Sequence, residues 1–405
     1  MRLPEVIRTR QRYEPLLNVA PAIAAMPVAL IAATLHYTAD FGVAYRGGAE
    51  AWATGHPQNL VLWTGTPFLA LVMASITRLA PDYVAARIFM AVNLSVWMVL
   101  LAMVWPRLRS RVPSAWWWAT LAAACLLAPA VSTIFWLQFN LMVFVMGLAG
   151  FVLAGRHDRT SGFLLGLSVA WKPILILLPL AFLLRRRSRA AGAWAIVTAA
   201  ALTVLGFVFL AWRANDPRVL NPWDYLAGFL RNGRAPIAAC IVENYSPVAL
   251  LCRLGLEPST IITVAISAIL VLAGWLLVRG LTQSPEGEWE TFAAACFLST
   301  MVGPIDWNHY GLLTGPLFLL LSYQFWRDGA PRALWLCLVL AYALTDLVWD
   351  PLSSLAGAPI TLLVFTYTAG QFGQYFLLLA WIRWRRLRTG LVPHPIARLA
   401  DAGPA

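Results

Sequence analysis

Apolar runs follow one another through almost the whole chain, and clusters of arginine separate them. About twenty apolar residues in a helix span the hydrocarbon core of a bilayer, so a chain written this way folds as a stack of membrane helices. The runs are 16–36, 84–105, 113–134, 140–153, 191–212, 259–278, 289–302, 309–325, 333–349 and 359–381. Of the 405 residues 60% are hydrophobic and only 12% are charged, which excludes an ordinary soluble domain. The net charge of +12 does not point to nucleic acid. Its arginines lie between the apolar runs, where they orient the chain with its basic loops on the cytoplasmic side. The first run is too long for a cleaved signal peptide and lacks a small-residue cleavage site.

Two further apolar stretches, 64–80 and 161–184, are placed by parity. Arginine clusters lie near residues 8–12, 107–111, 156–159, 185–189, 327–332 and 383–388. All six fall on one side only if neither of these stretches crosses the bilayer once. The stretch 64–80 is short, carries Arg78 and has Pro67 near its start. It reads as a juxtamembrane helix on the outer face. The stretch 161–184 has arginines at both ends and Lys172-Pro173 at its middle, so it reads as two half-helices that enter the membrane and return. Both termini are then cytoplasmic. The expected architecture is an all-α polytopic membrane protein of about twelve membrane helices, including this broken re-entrant pair. A single membrane domain covers residues 1–405. It comprises a catalytic module at 16–212 with the first outer loop, a second outer loop at 213–258 and C-terminal helices at 259–383.

Lys172 is the one lysine among thirty basic residues, and it falls at the apex of the re-entrant pair. A charge at that depth costs roughly 2.5–3.5 kcal/mol on insertion scales and marks a functional site by default. The competing reading is a structural ion pair with a membrane carboxylate such as Asp346. Other polar residues gather in the outer loops. Asp40, Tyr45 and Arg46 follow the first run; Gln138 and Asn140 form an amide turn; Asn244 lies in the second outer loop; Asp306, Trp307 and His309 lie in a late loop. Gln138 and Asn140 suit sugar hydroxyls. Cys240 and Cys252 lie in or beside one outer loop, where a disulfide is chemically possible.

A carboxylate, an imidazole and buried cations facing one outer cavity suit transfer of a group from a phosphate-linked donor. A carboxylate accepts the proton of an attacking hydroxyl, and lysine or arginine holds the charge that develops on a leaving phosphate. There is no P-loop and no Gly-rich strand-to-helix turn, so the donor is expected to be activated by a lipid phosphate and not by a nucleotide. The rival class is a lipid or glycolipid transporter or flippase. That class predicts polar residues along a path to both faces and broken helices in matching halves, whereas the polar residues here cluster on one side.

The order of these motifs resembles glycosyltransferase family 87. It runs Asp40 with Tyr45, Ala49 and Gly55; Gln138 and Asn140; Gly162, Gly166, Lys172 and Pro173; Asn244 and Ser246; and Trp307, His309 and Tyr310. The resemblance covers about residues 16–325. It implies the GT-C fold and an inverting transfer of a sugar, mannose before others, from a polyprenyl-phosphate donor to a lipid-linked or glycan acceptor. The reaction would take place on the outer face of a bacterial cytoplasmic membrane, in contact with membrane lipids and without a metal or other cofactor. Asp40 would be the general base, with Asp306 as its rival, and His309 would sit in the active site. Lys172 and Arg46 would hold the donor phosphate, and Tyr45, Gln138, Asn140, Asn244, Asp306 and Trp307 would line the sugar and acceptor sites. Two departures stand out. Leu137 replaces the glycine that members commonly carry before the glutamine, and Thr64-Gly65-Thr66-Pro67 stands where many carry Tyr-Pro-Pro.

Overall fold

A computed structural model describes residues 39–60, 63, 65–109, 133, 137–225, 246–255, 265–266, 268–273, 285–302, 308–346 and 360–388. Among these residues there are helices and the turns between them, with no strand. The principal helices are α1 (Ala39–Thr54), α2 (Pro67–Leu79), α3 (Asp82–Arg109), α4 (Asn140–Leu153), α5 (Asp158–Trp171), α6 (Leu177–Leu183), α7 (Arg189–Ala214), α8 (Pro247–Arg253), α9 (Pro285–Val302), α10 (Gly315–Asp328), α11 (Arg332–Asp346) and α12 (Ile360–Arg388). The run expected at 16–36 lies outside the described residues, as do nearly all of 113–134 and part of 259–278. By length and composition α7 is apolar enough to cross a membrane, and α2 with the first half of α3 adds a second span only if the bent pair is counted as one. An all-helical chain of this composition is compatible with a polytopic membrane protein. The count of about twelve rests on helices that do not meet that test, by length or by apolarity, and on runs outside the described residues.

Neighbouring glycines show how the helices are threaded. Gly162 on α5 abuts Ala191, Trp194 and Ala195 at the start of α7, and Gly166 abuts Ala195, Thr198 and Ala199 one turn further on. The two helices therefore run in the same direction, and small residues let their backbones approach closely. Gly192, again at the start of α7, abuts Pro179, Phe182 and Leu183 of α6. Helix α6 thus ends at the level where α5 began. The chain rises through fourteen residues of α5, about 21 Å, turns, and comes back. The two half-helices expected within 161–184 therefore form a hairpin, with Lys172 at its turn.

The turn has a local cause. Proline disfavours the helical region for the residue before it, and Lys172 is extended at φ −149°, ψ 117°. Pro173 then opens a single 3-10 turn, Pro173–Leu175, before α6 begins. Helix α4 packs antiparallel on the hairpin. Its Gly150 faces Ser161 and Leu165, and its Gly147 faces Leu175 and Leu178. Helices α2 and α3 meet at an angle of 119° across Pro81, so they do not form one straight helix. The run 309–325 is not one helix. A 3-10 turn, Asn308–Leu313, precedes α10, because Pro316 lacks an amide hydrogen and fits only the first turn of a new helix.

At the arginine-rich end, a polar network that runs from the surface to buried Glu290 and Gln324 ties the hairpin to the C-terminal helices. Arg187 pairs with Glu288 at 3.2 Å. Glu290 accepts from Arg385 at 2.7 Å and from Gln324 at 2.8 Å, and Trp381 Nε1 donates to Gln324 Oε1 at 2.6 Å. Arg185 is only 2% exposed and lies in the field of Glu288 and Glu290.

The α5–α7 seam has no room for a side chain: a Cβ on Gly166 would sit 2.5 Å from Ala195 O. Overpacking of this kind costs about 1–3 kcal/mol. Gly166→Val is therefore expected to lower the melting temperature of the detergent-solubilised protein by several degrees. Val204→Leu, on the exposed face of α7, leaves it unchanged.

Candidate active site

Four polar side chains from three parts of the chain join at the apex of the hairpin. Lys172 Nζ donates to Gln138 Oε1 and to Asn140 Oδ1, each at 2.8 Å. Gln138 Nε2 donates to Asp40 Oδ2. One primary amide therefore bridges the carboxylate and the ammonium, its oxygen toward the cation and its nitrogen toward the anion. Bonds to charged partners are roughly twice as strong as neutral ones, and here they fix the amide's orientation. Gln138 is 6% exposed and Asn140 fully buried, whereas Asp40 and Lys172 are half-buried. The two amides that join the charges are thus shielded from solvent.

Each member is held by a different local device. Asp40 lies in the first turn of α1, where the helix dipole favours a carboxylate. Asn140 opens α4. Gln138 sits in the turn before it, and Leu137 supplies that turn with a left-handed conformation at φ 49°. This is the conformation a glycine would adopt freely, at the position where the family commonly has one. In a leucine it costs roughly 1–2 kcal/mol. The Leu137 side chain is 2% exposed, and burying a leucine is worth about 1.5–3 kcal/mol, so burial offsets the strain.

Two positioning residues escaped the sequence reading. Asn93, 2% exposed in α3, donates through Nδ2 to the carbonyl of Gln138 at 3.4 Å. An amide inside an apolar run was the available signal. Thr66 caps α2 by accepting from Leu69 N at 3.0 Å, and its hydroxyl donates to Ala170 O at 2.5 Å. It thereby satisfies a carbonyl that the end of α5 leaves without a helical partner. The Thr-Pro signature of a helix start was legible, but its contact with the hairpin was not. Phe139 and Phe89, with ring centres 4.7 Å apart, and Trp171, 5.8 Å from Phe139, wall one side of the cluster. Nearby, Tyr225 accepts from Trp63 Nε1 at 2.9 Å and donates to Gly65 O at 2.8 Å. Burial pushes its phenol far above the ordinary value, so it stays a neutral donor.

The remaining expected residues fall elsewhere. Arg46 is exposed on α1, six residues and thus about 240° around the helix from Asp40, and the structure does not bring it into the cluster. Tyr45 donates its hydroxyl to Ala80 O at 2.8 Å and ties α1 to the α2–α3 corner. His309 lies on the 3-10 turn Asn308–Leu313, which packs against α4 and α9. Asn244, Asp306 and Trp307 lie outside the described residues. Cys252 is disulfide-bonded, and Cys240, with which a disulfide is chemically possible, also lies outside them. Lys172 contacts the two amides in the field of Asp40.

No solved structure matches the chain. A protein of Mycobacterium tuberculosis is 30% identical over 174 residues, which are 42% of this chain and 38% of that protein. It is named polyprenol-phosphate-mannose-dependent alpha-(1-2)-phosphatidylinositol mannoside mannosyltransferase. The chain thus matches well under half the length of this relative. The sequence profile of glycosyltransferase family 87 covers residues 63–304. That stretch holds the amide turn, the broken hairpin and Lys172, and on that match the chain belongs to glycosyltransferase family 87.

Proposed function

We propose that this membrane-bound glycosyltransferase moves a sugar, mannose before others, from a polyprenyl-phosphate donor to a lipid-linked or glycan acceptor. The proposed location is the outer face of the cytoplasmic membrane. The observation that carries the reading is the joining of Asp40 and Lys172 through one amide. A base for the acceptor and a cation for the leaving group are thereby placed at opposite ends of a rigid bridge. The relative's name supports the donor class, since that protein is called polyprenol-phosphate-mannose-dependent.

In the proposed step Asp40 takes the proton of an acceptor hydroxyl. The hydroxyl oxygen bonds to the anomeric carbon from the face opposite the phosphate. The bond from that carbon to the phosphate oxygen breaks with its electron pair, and polyprenyl phosphate leaves. Inversion follows from a single displacement. Lys172 faces the oxygen on which charge develops, where a preorganised cation in a water-poor site acts most strongly. Gln138 holds the two charged groups at a fixed separation, which a near-attack geometry requires. His309, Asn244, Asp306 and Trp307 are assigned to the donor and acceptor walls on the resemblance alone. No divalent metal takes part in this scheme.

Four outcomes are expected with purified protein and a synthetic polyprenyl-phosphate sugar. Asp40→Asn keeps donor binding and loses transfer by roughly 10²–10⁴, and Lys172→Met loses roughly 10²–10³. Retained transfer in Asp40→Asn would move the base role to another carboxylate. Gln138→Leu, which removes the bridge and leaves both charged groups, lowers kcat by up to about 10² with a smaller change in donor KM. Chelation by EDTA leaves transfer unchanged, and its loss, restored by added Mg²⁺ or Mn²⁺, would refute the metal-free scheme.

A further inference from the structure

Two guanidinium groups share one indole at the far end of α1. Arg213 Cζ lies 4.5 Å from the centre of the Trp52 ring and Arg78 Cζ lies 5.3 Å from it. Arg213 Nε also donates to Trp52 O at 2.5 Å, and its Cζ lies 5.1 Å from the Trp212 ring. The three elements involved are α1, the last turn of α2 and the last turn of α7. Among the described residues neither arginine is in an ion pair. Two like charges gathered on one ring repel each other. Cation–π attraction of about 0.5–1 kcal/mol each at exposed sites offsets only part of that repulsion. The arrangement gains most when an anion bridges the pair, and the planar guanidinium fork matches phosphate oxygens.

The surroundings identify the kind of phosphate. Helix α7, the long apolar helix, presents exposed Val204, Val208 and Trp212 at successive turns, an apolar stripe that ends at the arginine pair. Trp212 is 64% exposed, as expected of an aromatic at the boundary between hydrocarbon and headgroups. A charged pair capping an apolar stripe fits a molecule with a phosphate above and acyl chains below. We propose that Arg78, Arg213 and Trp52 bind the phosphate of an anionic membrane phospholipid whose acyl chains lie along the Val204–Val208–Trp212 stripe. Trp52 is twelve residues beyond Asp40 on α1, about 18 Å along the helix axis. The site is therefore separate from the Asp40–Lys172 cluster, and its test is independent of the transfer reaction.

The test is native mass spectrometry of the full chain in detergent, titrated with phosphatidylglycerol and with phosphatidylcholine of matched acyl chains. The expected result is a preference of roughly 10-fold for phosphatidylglycerol, about 1.4 kcal/mol. Arg78→Gln/Arg213→Gln should abolish the preference, and Arg78→Lys/Arg213→Lys should retain part of it. Arg78→Gln alone is the safeguard against misfolding, since that exposed side chain makes no hydrogen bond among the described residues, and it should weaken phosphatidylglycerol binding several-fold. Equal binding of the two lipids by the unmodified protein, or unchanged phosphatidylglycerol binding in both Gln variants, would overturn the assignment. Displacement of phosphatidylglycerol by millimolar inorganic phosphate would also overturn it, because the ligand would then be the free anion.

Discussion

The contact between Lys172 and the amides of Gln138 and Asn140, with Asp40 on the far side of Gln138, is the arrangement around which the described structure is organised. An ammonium is costly to hold in an apolar environment unless its protons are taken by good acceptors and its charge is answered nearby. The hairpin of α5 and α6 carries that group at its apex, and the turn before α4 meets it there. Asn93 and Thr66 do not touch the charges. They hold the backbone of Gln138 and the end of α5, and so determine whether the acceptors arrive in the right place.

The two ends of the hairpin are secured by opposite means. Its apex is held by a few directional hydrogen bonds that join two half-buried charged residues to two buried amides. Its base is held by close packing of Gly162, Gly166 and Gly192, and by the network through Arg187, Glu288, Glu290 and Arg385. Rigid packing below and directional polar contacts above suit a site that must keep its frame while it binds and releases an anion. In the proposed reaction that anion is the phosphate of the sugar donor. Arg78 and Arg213 extend the same logic to a second phosphate at the end of α7.

The fold could be read from the sequence wherever a rule has a local cause. The bounds of α4, the break at Lys172-Pro173 and the return of the chain to the arginine-rich side all follow from hydrophobic length, proline geometry and arginine placement. Asp40, Gln138, Asn140 and Lys172 were each legible as polar residues in apolar surroundings. Arg46 was not separable from them, because a cation close in sequence to an acid looks the same whichever face of the helix it occupies. Its position about 240° from Asp40 becomes visible only once α1 is a helix that begins at Ala39. The division of 309–325 at Thr314–Pro316 was missed because an apolar run hides a proline near its start.

By itself the sequence determined that the chain is helical and apolar enough to suit a membrane, that it carries one ammonium at a helix break, and which residue types surround it. These are consequences of composition and of constraints within a few residues. Only the tertiary structure decided that one amide joins Asp40 to Lys172, that Leu137 adopts a glycine's conformation, and that Arg78 and Arg213 meet on Trp52. Those partners lie up to more than a hundred residues apart. What brings them together is the packing of small residues between whole helices, which no local rule specifies.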